Sequence, residues 1–535
     1  MIRTAAALLV SATALLLLAG PRKPPAVIRL ELIDAAQGQP RAGLVRVLDP
    51  AGKAIKLPGL LCRGDGLGED SPLRDWYAVI GQADLSVPAG KIRVEALAGL
   101  ETERAGAELN LRPGAVHELV LPLRRFSRVA EEGWRSANTH LHLTRLDKAT
   151  AERYVTEVPA PDDLDVLFLS YLERAGDDVH YISNRFPIGE LEQFSRGRVL
   201  VSNGEEHRHN FGSHGEGYGH VMLLGIDRLV EPVSIGPGIA QRGTDGIPLR
   251  DGIADARAQG GTVLWCHNNW GLEDVAGWVA GWLDAQNIFD GSAHGTYADS
   301  FYRYLNVGLE VPFSTGTDWF LYDLSRVYAA ARGSLTTQAW LDALAAGRSF
   351  ITNGPLLDLR VEGRPIGARI ELAAVRKVRV EGSARGRVDF GRIELVRNGE
   401  VIARAASRPV AGHFRADLGA AVEIERPCWL ALRIPPPPVP QGDDGSAGRK
   451  GPAHPHNVFG RPLFAHTSPI YLSLSGRKVF QPVAAGRLLA DLVAAKQTIL
   501  QMATFADPAE KRRVLGVYDE AAEQLRRRIS AHQPK

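Results

Sequence analysis

Between about residues 130 and 355 the chain switches to a strand-then-helix pattern, and no other feature narrows its fold as far. Apolar strand-like runs at 164–170, 198–201 and 262–266 share this region with helix-like stretches at 249–259, 273–285 and 335–346. Gly260-Gly261 and Gly347 stop two of those helices. Strands alternating with helices predict a parallel sheet or barrel. In such folds the reactive groups gather at the carboxyl ends of the strands. The stretch 273–285 carries Trp278 and Trp282 at i, i+4, a spacing that stacks them on one face as core.

The flanks read differently. Residues 27–126 show short alternating strands such as 27–32, 91–96 and 117–121 between Gly/Pro turns, which predicts a small antiparallel β-sandwich. Strand patterning returns at 356–475 and predicts a second β-sandwich. It is interrupted by Pro435-Pro436-Pro437-Pro438 and a Gly/Asp/Ser/Lys stretch through about 456, a surface insert. His454 and His456 fall there, as solvated loop histidines. Residues 482–529 read as a helical tail, with Arg526-Arg527-Arg528 on a solvated face.

The amino terminus reads as an export signal over residues 1–20. Arg3 precedes an apolar or small-residue run from Ala5 to Ala19, ended by Gly20-Pro21. The alternative is a retained amino-terminal anchor. Pro21 stands where a lipoprotein signal needs its cysteine. The expected location is periplasmic or extracellular, with no membrane role beyond export. The 535 residues suffice for three or four domains, and 63 basic residues balance 61 acidic ones. That balance makes nucleic acid a poor partner and leaves a small-molecule or glycan-like substrate. Three distant cysteines form no disulfide framework, so the fold rests on core burial, with or without a metal.

Metal-ligand residue types recur along the central region. In Asn138-Thr139-His140-Leu141-His142, the i, i+2 spacing aims both imidazoles to one side of a strand end, where they can grip one site. Downstream lie Glu205-Glu206, His220, His267 and Asp318. His207, His209, His214 and His220 put four of the 15 histidines within 14 residues, between the apolar runs 199–201 and 221–224. A hydrolytic metal site needs several neutral imidazoles, one or more carboxylates and an open position. Glu206 or Asp318 could bridge two ions. Cys266, beside His267, is either a thiolate ligand or a buried strand cysteine facing away.

The order of motifs resembles the polymerase-and-histidinol-phosphatase (PHP) superfamily, and within it the CehA/McbA-type metallohydrolases. The resemblance spans roughly 130–475. It rests on the run from Gly133 to His142, Gly204-Glu205-Glu206, Gly219-His220-Val221-Met222-Leu223-Leu224-Gly225, and the strand from Gly261 into His267. Thr315-Gly316-Thr317-Asp318, the closing stretch from Gly347 to Pro355, and Ala465-His466-Thr467-Ser468-Pro469 complete it. It implies an α/β fold, a distorted (β/α)7 barrel with metal at the carboxyl ends of its strands. The implied metal ligands are His140, His142, Glu206, His267 and Asp318, with His220 close behind and Glu205 the alternative to Glu206. His207 and His209 are extra ligand candidates or proton shuttles. Arg326 is either an oxyanion partner or half of a structural salt bridge, and His466 is structural. Three departures count against a three-metal site: Asn138 for the opening Asp, no Thr-Asp-His near Ser170-Tyr171-Leu172, and Trp319 for a histidine after Asp318. His180 could substitute, but reads better as a surface-loop residue.

The expectation is therefore a secreted hydrolase using one or two divalent ions (Zn, Mn or Fe) on an ester, carbamate or phosphoester bond. The alternative is a non-catalytic secreted binding protein with a degenerate metal site. A nuclease would need a basic, aromatic-lined groove that the sequence does not show.

Overall fold

The computed structural model describes residues 24–174, 181–210, 217–238, 241, 243–268, 270–291, 295–438 and 454–532. The expected export signal at 1–20, His180, His214 and most of the 435–456 insert lie outside them. Among the described residues the chain is mixed α/β and mostly strand, with a curled half-barrel sheet and a C-terminal helical tail.

The amino-terminal unit packs a three-stranded sheet (Gln82–Val87, Ala26–Asp34, Val116–Leu123) against a five-stranded one built on Ala42–Leu48 and Gly90–Leu97. Alternation sets the inner face: Ala26, Ile28, Leu30 and Leu32 are buried, and the residues between them are more exposed.

The central sheet begins parallel. Trp134–Asn138 pairs with Val166–Tyr171, which pairs with Leu200–His209. It then departs from the all-parallel expectation, because Gly219–Leu224 is antiparallel to both Leu200–His209 and Thr262–Trp265. The connection 210–218 is too short for a helical crossover, which needs a dozen or more residues. Parallel pairing resumes through Ala285–Asn287 to Phe313–Ser314. On the other side, Trp134–Asn138 pairs antiparallel with Arg326–Ala330, and that strand with Ser349–Thr352. Side chains stitch the curl: the Phe313 amide donates to Ser468 Oγ, and Ser349 Oγ donates to the Phe313 carbonyl. The ladder continues from Ser349–Thr352 onto Ala465–Thr467, so strand pairing runs unbroken into the C-terminal β unit.

The helices Lys148–Glu157, Leu249–Ala258, Asp274–Ala280 and Thr337–Ala345 surround this sheet. The stretch 273–285 is therefore not one helix. Gly281, in the left-handed region at φ 75°, ends it early and frees Ala285–Asn287 to become a strand. Trp282 falls outside the helix, while Trp278 is buried and donates to Gln286. The tail is helical, as expected, and is built of two helices. Pro482–Met502 and Pro508–Ala531 form a hairpin, restarted by Asp507, whose side chain accepts from the Ala509 and Glu510 amides. Leu488, Leu492, Ile499, Val517, Ala521 and Leu525 join the same core as helix Asp274–Ala280. No helix among the described residues is long and apolar enough to cross a membrane. His454 is half-buried and bonds the Leu463 carbonyl at 2.7 Å, so the solvated-loop expectation fails for it.

Candidate metal centre

Strand Leu200–His209 divides the polar cluster between its two faces. Glu206 and Arg208 point into the curl, and Glu205, His207 and His209 point out of it. On the outer face, Glu205 Oε2 accepts from the Val230 amide at 2.7 Å and Oε1 pairs with His207 Nδ1 at 2.8 Å. Helix Leu249–Ala258 lies against His207, and a Cβ at Gly252 would sit 2.2 Å from His207 Nε2. His209 pairs with Asp245 at 3.3 Å and packs on Tyr218. Glu205, His207 and His209 therefore do not join the inner cluster.

On the inner face the ligand types converge. His140 Nε2 lies 3.1 Å from His142 Nε2, 3.4 Å from Glu206 Oε2 and 3.4 Å from Asp318 Oδ1. His142 Nε2 lies 2.7 Å from Glu206 Oε2 and 3.6 Å from Asp318 Oδ1. Donor atoms on a tetrahedron with metal bonds near 2.0–2.1 Å stand about 3.3 Å apart, so this quartet has the span of one metal shell. The other oxygen of Glu206, Oε1, faces His220 Nδ1 at 3.4 Å and His267 Nε2 at 3.5 Å, a second and sparser group. All of these residues are buried.

Local structure explains the convergence. Leu141–His142 pairs with Asp318–Trp319 as a two-stranded ribbon, placing the second histidine beside the late acid. Asn138 fastens the turn, accepting from the His140 amide at 3.0 Å and donating to Thr317 Oγ1 at 2.8 Å. At Gly316 a Cβ would meet the His140 amide at 2.8 Å, so the two loops touch only because that residue is glycine. His267 and Asp318 both hold left-handed φ values, 56° and 62°, which side-chain-bearing residues adopt at a cost and which gather at functional sites.

Hydrogen bonds fix which nitrogens face the centre. His142 Nδ1 meets the Ser170 carbonyl at 3.0 Å; a carbonyl only accepts, so Nδ1 carries the proton and Nε2 a lone pair. His140 Nδ1 meets Asp290 Oδ2 at 2.9 Å. Burial opposes ionisation of Asp290, but the His267 charge and the His140 hydrogen bond hold its carboxyl below the usual range, which assigns the Nδ1 proton in the same way. Two lone pairs 3.1 Å apart, flanked by two carboxylate oxygens, are mutually repulsive unless a cation lies between them. Without a metal that cation is a proton. Burial pushes His140 down, yet the Asp318 charge and the Asp290 hydrogen bond raise it well above its usual value. His267, also opposed by burial, is held up at about 9 by Asp290 and Glu206. These buried His, Glu and Asp groups can hold a divalent ion.

Asp290 is a site residue that the sequence reading missed. Cys266 Sγ lies near His140 and Asp290, away from the quartet, and burial pushes its thiol up to about 12. In the metal-free chain it is a neutral thiol. Arg326 does not reach the centre: Nη1 donates to the Asp162 carbonyl at 2.6 Å and Nε to the Leu324 carbonyl at 3.0 Å. Among the described residues it makes no salt bridge. His466 is buried between Tyr302 Oη and the Thr467 carbonyl, and burial lowers its pKa to about 3.

A cavity lies beside the centre. Trp319 stacks near Tyr181 at 5.7 Å and shields His142. A cavity of about 260 Å³ runs from Trp319 and Gly291 to Tyr322 and Arg461. A Cβ at Gly291 would lie 2.6 Å from Asp318 Oδ2, so the cavity floor reaches a ligand residue. Leu67, from the amino-terminal unit, and Pro462, from the C-terminal one, also line it. No protein-family model, curated protein or solved structure matches this chain.

Proposed function

We propose that this chain is an exported, metal-dependent hydrolase acting on an ester, carbamate or phosphoester bond of a small-molecule or glycan-like substrate. The observation that carries the reading is the convergence of His140 Nε2, His142 Nε2, Glu206 Oε2 and Asp318 Oδ1 beside an open cavity. Within it we read the central region as a distorted (β/α)7 barrel of PHP type, with ligands from the strand ends. The motif order from Asn138 to Pro355 supports that reading, and so does the ribbon that pairs His142 with Trp319.

A divalent cation held there supplies Lewis acidity, acidifying water and polarising a carbonyl or phosphoryl group. The chain's own residues do the rest. Asp290 and the Ser170 carbonyl hold the Nδ1 protons of His140 and His142, keeping the two rings in the ligating tautomer. Glu206 and Asp318 neutralise the cation. Trp319 and Tyr181 close one flank to water, while the Gly291 side admits substrate.

The test is hydrolysis of a panel of aryl esters, carbamates and phosphoesters by the full chain. Chelation should abolish turnover, Zn²⁺ or Mn²⁺ should restore it, and His142→Ala should not respond to metal. Metal bound at the quartet, with no turnover of any substrate in the panel, would favour the binding-protein reading.

A further inference from the structure

Arg208 is the one cation on the inner face of the ligand strand, two residues from Glu206. Its Nη1 lies 3.5 Å from Glu206 Oε1, the oxygen that also faces His220 and His267. Its Nε is buried and has no hydrogen-bond acceptor among the described residues. The guanidinium therefore stands against the second donor group, on the Oε1 side of the Glu206 carboxylate. A fixed positive charge a few ångström from a divalent site opposes the ion strongly where water is excluded.

We propose that Arg208 takes the place of a second metal ion. The centre then holds one divalent cation in the quartet His140, His142, Glu206 and Asp318. The guanidinium balances the other half of the Glu206 carboxylate and excludes a second ion from His220 and His267. This rests on the metal-centre reading above and narrows it from one or two ions to one. Arg208 acts here as a positioning residue, through the carboxylate it faces. Sequence proximity alone did not reveal it, because Arg208 sits among histidines that face the other way.

The experiment is equilibrium binding of Zn²⁺ to the full-length, chelator-stripped chain, with bound metal measured by elemental analysis. Wild type should bind one ion per chain. Arg208→Gln should bind two, and Arg208→Lys, which keeps the charge, should bind one. Adding His220→Ala to Arg208→Gln should return the count to one. Two ions in wild type, or one in Arg208→Gln, would overturn the proposal while leaving the hydrolase reading intact. No metal in wild type would overturn both. Should Arg208→Gln fail to fold, Mn²⁺-loaded wild type decides the matter by electron paramagnetic resonance. An isolated-ion spectrum is expected, and an exchange-coupled pair would refute the proposal.

Discussion

The two faces of strand Leu200–His209 each bring a glutamate against histidine and do different work. Outward, Glu205, His207 and His209 close small local pairs with the Val230 amide, each other and Asp245. Inward, Glu206 meets imidazoles that arrive from three other parts of the chain. Glutamate meets histidine on both sides, and convergence separates them. Side-chain parity along a strand therefore decides which of two adjacent glutamates can be a metal ligand.

The contrast can be broken in steps. The largest effect below loss of a ligand is expected at Asp290, which orients His140 on the inner side. Asp290→Asn should weaken metal binding about 10- to 100-fold, read by competition with a chromophoric chelator. An unchanged affinity would mean that His140 needs no such orientation. His207→Ala, on the outer side, should leave metal stoichiometry untouched. It strips the buried Glu205 carboxylate of a partner, so denaturant unfolding should show a loss of about 1–3 kcal/mol. A loss of metal instead would move His207 into the centre and undo the distinction.

The smallest effect is in pH. In the metal-free chain the folded-state pKa of His267 is about 9 against a usual 6.5. A raised pKa contributes stability that is complete below the unfolded value and is lost as pH rises through the folded one. A cation in the quartet opposes the neighbouring His267 charge and lowers that pKa, so the gain in Tm on loading should widen between about pH 6.5 and 9. Outward, burial lowers the pKa of His209 despite Asp245, so its contribution has the opposite sign and is lost as pH falls below about 6.5. His220 is the inward exception: burial and the neighbouring Arg208 hold it well below its usual value. A Tm gain that stays constant with pH would mean that the quartet ion does not act on His267.

Much of the inner set could be read from the sequence, because His140, His142, His220, His267 and Asp318 each end or open an apolar run. Asp290 was hidden by a boundary error. Reading 273–285 as helix absorbed the start of Ala285–Asn287, and with it the strand whose far end carries the acid. The Ser170 carbonyl that orients His142 is backbone, so no residue type announces it. Arg326 misled because position within a motif says nothing of direction, and its guanidinium turns to backbone carbonyls. In the fold, strand and helix content was legible where periodicity was long. The antiparallel insertion of Gly219–Leu224 depends on a connection too short to cross over, and that length was visible in the sequence without being weighed.

If metal binds on the inner face of this strand, its two adjacent carboxylates, Glu205 and Glu206, must respond differently to substitution. Elemental analysis of untagged wild type, Glu205→Gln and Glu206→Gln, each checked for folding by near-ultraviolet circular dichroism, separates the two faces. Bound metal in wild type and Glu205→Gln, with none in Glu206→Gln, is the predicted result. Metal retained by folded Glu206→Gln, or lost from folded Glu205→Gln, would contradict the account.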